Sequence, residues 1–109
     1  MTKICVYKKG KSIVKYTVDG HTGYADEGSD IVCAAISTVA THTLNGLTDV
    51  VKIPVGYEVE DAYLECIVPE DISEEKRKQS DILLEAMYLT FKNLEEQYKE
   101  YITIIDMEV

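Results

Sequence analysis

The sequence has no tryptophan, one phenylalanine and two prolines in 109 residues. So little proline excludes a polyproline spacer, and an apolar share of 46% excludes a disordered, solvated chain. Positive charge is also scarce. Eleven Lys and Arg against twenty Asp and Glu leave a net charge of −9, which argues against direct nucleic-acid binding, a function that needs clustered cations. An acidic chain suits a basic partner instead. The three cysteines (Cys5, Cys33, Cys66) are odd in number and widely spaced, with no C-x-x-C, so they form no disulfide framework. That usage fits a reducing compartment. Lys3, Lys8, Lys9, Lys11 and Lys15 break up the N-terminal apolar residues, and no signal peptide or membrane-spanning run is read. The expected location is cytoplasmic, without a membrane partner.

Other signatures are missing as well. There is no phosphate loop, dinucleotide fingerprint or Ser-His-Asp pattern. His21, Cys33, His42 and Cys66 carry metal-ligating atoms but lack the close paired spacing of a structural zinc site. Neither a metal nor a cofactor is expected.

What is there reads as one domain over residues 1–109. Residues 2–8 and 13–19 alternate as strands around a turn at Lys9-Gly10-Lys11-Ser12, where Gly10 can take positive φ. Residues 20–28, with Gly20, Gly23 and Gly28, have neither helical nor strand periodicity and read as a loop. Ser29 or Asp30 is a natural N-cap for a helix running to about Asn45, with Gly46 as its stop. Residues 48–55 and 57–68 read as two strands separated by Gly56, with Pro54 at an edge or strand end. After Pro69 to Ser73, a long amphipathic helix runs from about Glu74 to Tyr98, with Leu83, Leu84, Met87, Tyr88, Phe91 and Leu94 at three- and four-residue steps. Residues 101–105 form a last strand. The order ββαββαβ predicts an α+β fold: a single mixed, mainly antiparallel sheet with two helices packed on one face.

The chemistry concentrates in residues 20–37, G-H-T-G-Y-A-D-E-G-S-D-I-V-C-A-A-I-S. With the cap at Ser29 or Asp30, Cys33 falls in the first turn of its helix. There the unpaired N–H groups and the dipole favour a thiolate and could hold an oxyanion. A thiolate nucleophile needs a base. His21, in the glycine-spaced loop, is the candidate. His42 lies nine residues beyond Cys33, about 180° around the helix at roughly 100° per residue, and is a poor partner. Ser37 and Asp30 fall near the Cys33 face; Asp30 either orients His21 or caps the helix, and Ser37 either packs beneath the thiol or bonds near it. Cys5 and Cys66 sit in strand patterns and read as inert.

This stretch resembles the signature of the bacterial ribosomal-processing cysteine protease family, Prp: Gly-His-x-Gly, a short run, then Gly-x-Asp-Ile-Val-Cys-Ala-Ala-x-Ser. The resemblance implies a homodimeric cysteine endopeptidase that removes the N-terminal extension of a large-subunit ribosomal protein, number twenty-seven of its series, in support of ribosome assembly. It assigns His21 as catalytic histidine and Cys33 as nucleophile, gives Asp30 and Ser37 supporting places, and makes Gly20, Gly23 and Gly28 the glycines of a substrate loop. The alternative is a non-catalytic ribosome-associated protein that clamps a basic ribosomal tail.

Overall fold

The computed structural model describes residues 1–20 and 27–109, with side chains from residue 31 onward in the second stretch. Its elements are β1 (Thr2–Lys9), β2 (Ser12–Asp19), α1 (Glu27–Asn45), a π-helical turn (Gly46–Val50), β3 (Gly56–Glu60), β4 (Tyr63–Ile67), α2 (Glu74–Gln97) and β5 (Ile102–Glu108). The five strands form one sheet in the order β3-β4-β2-β1-β5. β5 runs parallel to β1 and every other pairing is antiparallel, so the sheet is mixed and mainly antiparallel as the sequence predicts.

The first hairpin turns at Gly10, at φ +63°. A bulge between Tyr7 and Lys8 shifts the register, so Lys8 faces Ile13 rather than Val14. Because strand side chains alternate between faces, that shift sends Ile13 into the core and leaves Val14 half-buried.

One face of the sheet is apolar and covered by both helices. Ile4, Val6, Tyr16, Val18, Leu64, Cys66 and Ile102 meet Val32, Ile36, Ala40 and Leu44 of α1 and Leu84, Met87 and Phe91 of α2. Tyr16 is fully buried, and its hydroxyl donates to the Ala40 carbonyl at 2.9 Å, fastening β2 to α1. That bond satisfies a phenol that would otherwise be costly to bury. Ser73 caps α2 by accepting from the Lys76 N–H at 3.2 Å.

Three features depart from the sequence reading. Residues 48–55 are not a strand. The chain leaves α1 through the π-helical turn, which keeps Leu47 in the core, and reverses at Lys52, at φ +64°. Gly46 is therefore no helix stop; a Cβ there would come within 3.3 Å of Leu83 Cδ1, so the glycine lets α2 pack closely. The stretch read as a single strand, 57–68, is instead a hairpin, β3 and β4 joined by Asp61-Ala62, and this restores the predicted strand count. Finally, Ile31–Val50 is long and apolar enough by composition to cross a membrane, contrary to the sequence reading. In the fold its apolar stripe (Val32, Ile36, Ala40, Leu44, Leu47) lies against the sheet and α2.

Candidate active site

α1 is described from Glu27 onward, so Ser29 and Asp30, the expected caps, lie inside the helical run. Cys33, six residues beyond Glu27, therefore lies past the first turn in which it was expected. The correction matters chemically. Unpaired helical N–H groups belong to the first turn, so the backbone at Cys33 is not one of them. Asp30 does not cap α1, because a cap lies outside the helical run.

Cys33 is half-buried, whereas Cys66 is fully buried and Cys5 is only 8% exposed. Burial pushes the Cys66 thiol up to about 12, and its contact with Tyr16 lowers it only in part. A thiol held protonated in the core is a poor nucleophile. The reading of Cys5 and Cys66 as inert agrees with their burial.

The Cys33 thiol faces a cavity of about 290 Å³ between α1 and the β3–β4 hairpin. Ala34, Ser37 and Thr41 extend the α1 wall, Val18 and Leu64 lie beneath, and the hairpin contributes Val59 through Tyr63. Ser37, one helical turn beyond Cys33, thus shares its cavity as the spacing predicts. Gly20 also lines it, at the end of β2. With φ at +89° and a would-be Cβ only 3.0 Å from the Met1 carbonyl oxygen, this position requires glycine. Its N–H donates to the Ala62 carbonyl at 3.0 Å, which ties the start of the 20–28 stretch to the hairpin tip. His21 and Gly23 lie outside the described residues. His42 is exposed in a separate groove with Thr38, Val39, Leu83 and Met87, between α1 and α2, and does not line the Cys33 cavity.

Two contributors were not legible in the sequence. Thr2 at the start of β1 places Oγ1 3.7 Å from Cys33 Sγ, within reach of a sulfur hydrogen bond, and is itself 2% exposed. Nothing local marks it, since the two residues are 31 positions apart. The second contributor is the hairpin wall, hidden because its two strands read as one.

A half-buried thiol opening into a cleft on an α+β scaffold can act as a nucleophile on a bound substrate. Residues 1–103 match the family described as cysteine protease Prp, and the chain belongs to that family. It is a cysteine protease. The chain is 26% identical over 100 residues, covering 86% of each protein, to the ribosomal processing cysteine protease Prp of Bacillus subtilis. Among solved structures, SMU.848 from Streptococcus mutans superimposes with a TM-score of 0.87 at 26% identity, covering 100% of this chain and 96% of that one. The essential ribosomal processing protease Prp from S. aureus, in complex with a substrate peptide, superimposes with a TM-score of 0.84 at 18% identity over 97% of this chain and 99% of that one. At that identity the second likeness speaks for the fold.

Proposed function

We propose that this protein is a cytoplasmic processing endopeptidase that removes the N-terminal extension of a large-subunit ribosomal protein, number twenty-seven of its series. The observation that carries the reading is the placement of Cys33. Of three thiols it alone lines the cleft, while Cys5 and Cys66 are buried. The B. subtilis relative is a ribosomal processing protease, and a net charge of −9 suits a basic ribosomal substrate.

In the proposed mechanism His21 takes the Cys33 proton, and the thiolate attacks the scissile carbonyl carbon to form a tetrahedral adduct. The His21 imidazolium protonates the departing amine as the C–N bond breaks, leaving a thioester. Water, deprotonated by His21, then attacks the thioester and releases the new carboxylate and the thiol. The Thr2 hydroxyl beside Sγ offers the thiolate a donor. Asp30 orients or balances His21, Ser37 packs beside the thiol, and Gly20 and Gly23 belong to the substrate loop, which leads into α1 before Gly28.

The active form in this reading is a homodimer. Supporting that, the sheet face opposite the helices exposes Ile67, Ile105 and Met107 to 37–41%. Light scattering on the purified protein checks it; a monomer at micromolar concentration removes this part.

The test of the activity is mass spectrometry of a peptide spanning the ribosomal extension, incubated with wild type and with Cys33→Ala. A single cut by wild type and none by the variant is the expected outcome. Binding without a cut by wild type would instead favour a clamp for a basic tail.

A further inference from the structure

The outer side of the helical layer is short of charge. No Asp, Glu, Lys or Arg occurs between Ile31 and Thr48, although such residues make up 28% of the chain. Burial does not account for this, because only 33% of the Ile31–Val50 stretch is buried. The flank of α2 that faces α1 continues the pattern. Gln79, Leu83, Ala86, Thr90 and Asn93 follow one another there at three- and four-residue steps without a charge.

A groove of about 280 Å³ runs between the two helices, with Val39, Leu83 and Met87 as its apolar lining and Ala86 beside them. Ile82 and Leu89, one turn before and one turn after Ala86, are 71% and 63% exposed and extend this apolar surface along α2. Contiguous exposed apolar surface of this kind marks an interaction site.

Charge returns along both long sides of the band. Glu85 and Glu96, together with Lys78, lie about 80–100° around α2 from Ala86 on its outer side. Glu60 and Asp61 stand across the Cys33 cleft from α1. The groove thus has an uncharged centre between acidic rims. A second copy would set these carboxylates against their own counterparts, in a chain of net charge −9. A cationic amphipathic segment complements the surface instead. The band is about 25 Å long from Ile31 to Thr48, which matches a helix of about seventeen residues.

We propose that the groove between α1 and α2 docks an amphipathic helix of another protein, apolar on the face that enters the groove and rich in Lys or Arg on its flanks. α1 turns Cys33 toward the cleft and Thr38, Val39 and His42 toward the groove, so a helix seated there leaves the nucleophile open. Docking requires no peptidase activity and stands or falls separately from the processing reaction.

Model peptides test this on the whole chain. The probe is a helix of about seventeen leucines and lysines, with leucines at three- and four-residue steps. A scrambled peptide of the same composition and a patterned peptide with glutamate for lysine are the controls. Fluorescence anisotropy at physiological ionic strength reads affinity, and backbone NMR shifts read location. The patterned Leu/Lys peptide should bind at least about ten-fold more tightly than either control and should shift Thr38, His42, Ala86 and Thr90. Ala86→Arg puts bulk and a like charge at an exposed helix position and should weaken binding about ten-fold. Ile105→Gln, on the sheet face opposite the helices, should leave it unchanged. If Ala86→Arg lowers the thermal midpoint steeply, Leu89→Gln takes its place with the same expected loss. Equal binding of the scrambled peptide overturns the groove, because net charge alone would then be acting. Shifts confined to the open sheet face, or full-strength binding by an intact Ala86→Arg, overturn it as well. Groove shifts that appear without peptide as protein concentration rises would make the occupant a second copy. Sedimentation of the chain with phosphatidylcholine–phosphatidylglycerol vesicles would make it a bilayer, and either result overturns the helix.

Discussion

Alkylation separates the three thiols with a margin that follows from burial. Cys66 has no exposed surface and its thiol is pushed up to about 12 by desolvation. At pH 7.5 about three in 10⁵ such thiols are ionised, against about one in ten for an unperturbed thiol near 8.5, a deficit of roughly 3,000-fold in the reactive form. Escape through global unfolding is of the same order, because a domain stable by ~5 kcal/mol is open for about one part in 4,000 of the time, so Cys66 should react roughly 1,000-fold or more slower than in the denatured chain. Limiting iodoacetamide at pH 7.5, followed by peptide mass spectrometry, should label Cys33 first and leave Cys66 intact. All three should react together in guanidinium. Native Cys66 labelling within about 100-fold of its denatured rate would refute the burial argument, and with it the assignment of Cys33 by exposure.

Further outcomes follow from the same geometry. Thr2→Val keeps the shape but removes the hydroxyl beside Cys33 Sγ; it should slow alkylation and peptide cleavage about two- to ten-fold and displace the alkylation profile to higher pH. Fold loss alone would not produce that displacement, and an unchanged profile would count against a contact with the thiolate. Gly20→Ala puts a side chain at φ +89° and 3.0 Å from the Met1 carbonyl oxygen; chemical denaturation should show a loss of about 1–2 kcal/mol or more. Alkaline stability carries a definite sign. The fold holds Cys66 and Tyr16 protonated by burial, whereas in the unfolded chain they ionise near 8.5 and 10. Their contribution is complete below about pH 8.5 and is lost as pH rises, at about 1.4 kcal/mol per unit from each group once its unfolded value is passed. Urea midpoints from pH 8 to 11 check this, and Cys66→Val should flatten the slope between 8.5 and 10.

Local signals were enough for much of the fold. Gly10 marked the first turn, Ser73 marked the start of α2, and the spacing of Leu84, Met87 and Phe91 marked its buried stripe, because turns, caps and helical periodicity are short-range properties. The reading failed between Gly46 and Ile67. Val51, Ile53 and Val55 alternate like a strand, but Leu47 is held in the core by a π-helical turn and the following segment fills space under α2 without pairing. Asp61-Ala62 is a weak turn signal, so the β3–β4 hairpin was read as one strand. The helix was read as starting too late because Ser29 and Asp30 have the composition of caps, although they lie within α1.

By itself the sequence determined the nucleophile candidate and its family, since Asp-Ile-Val-Cys-Ala-Ala-x-Ser is a contiguous pattern carried on one helix. It also marked Cys5 and Cys66 as inert, through their strand patterns. Only the tertiary structure decided what surrounds Cys33. Thr2 comes from a strand 31 positions earlier, and Val59 to Tyr63 from a hairpin that follows α1. They come to border its cavity through sheet order and register, which depend on the packing of all five strands against both helices and so leave no local trace.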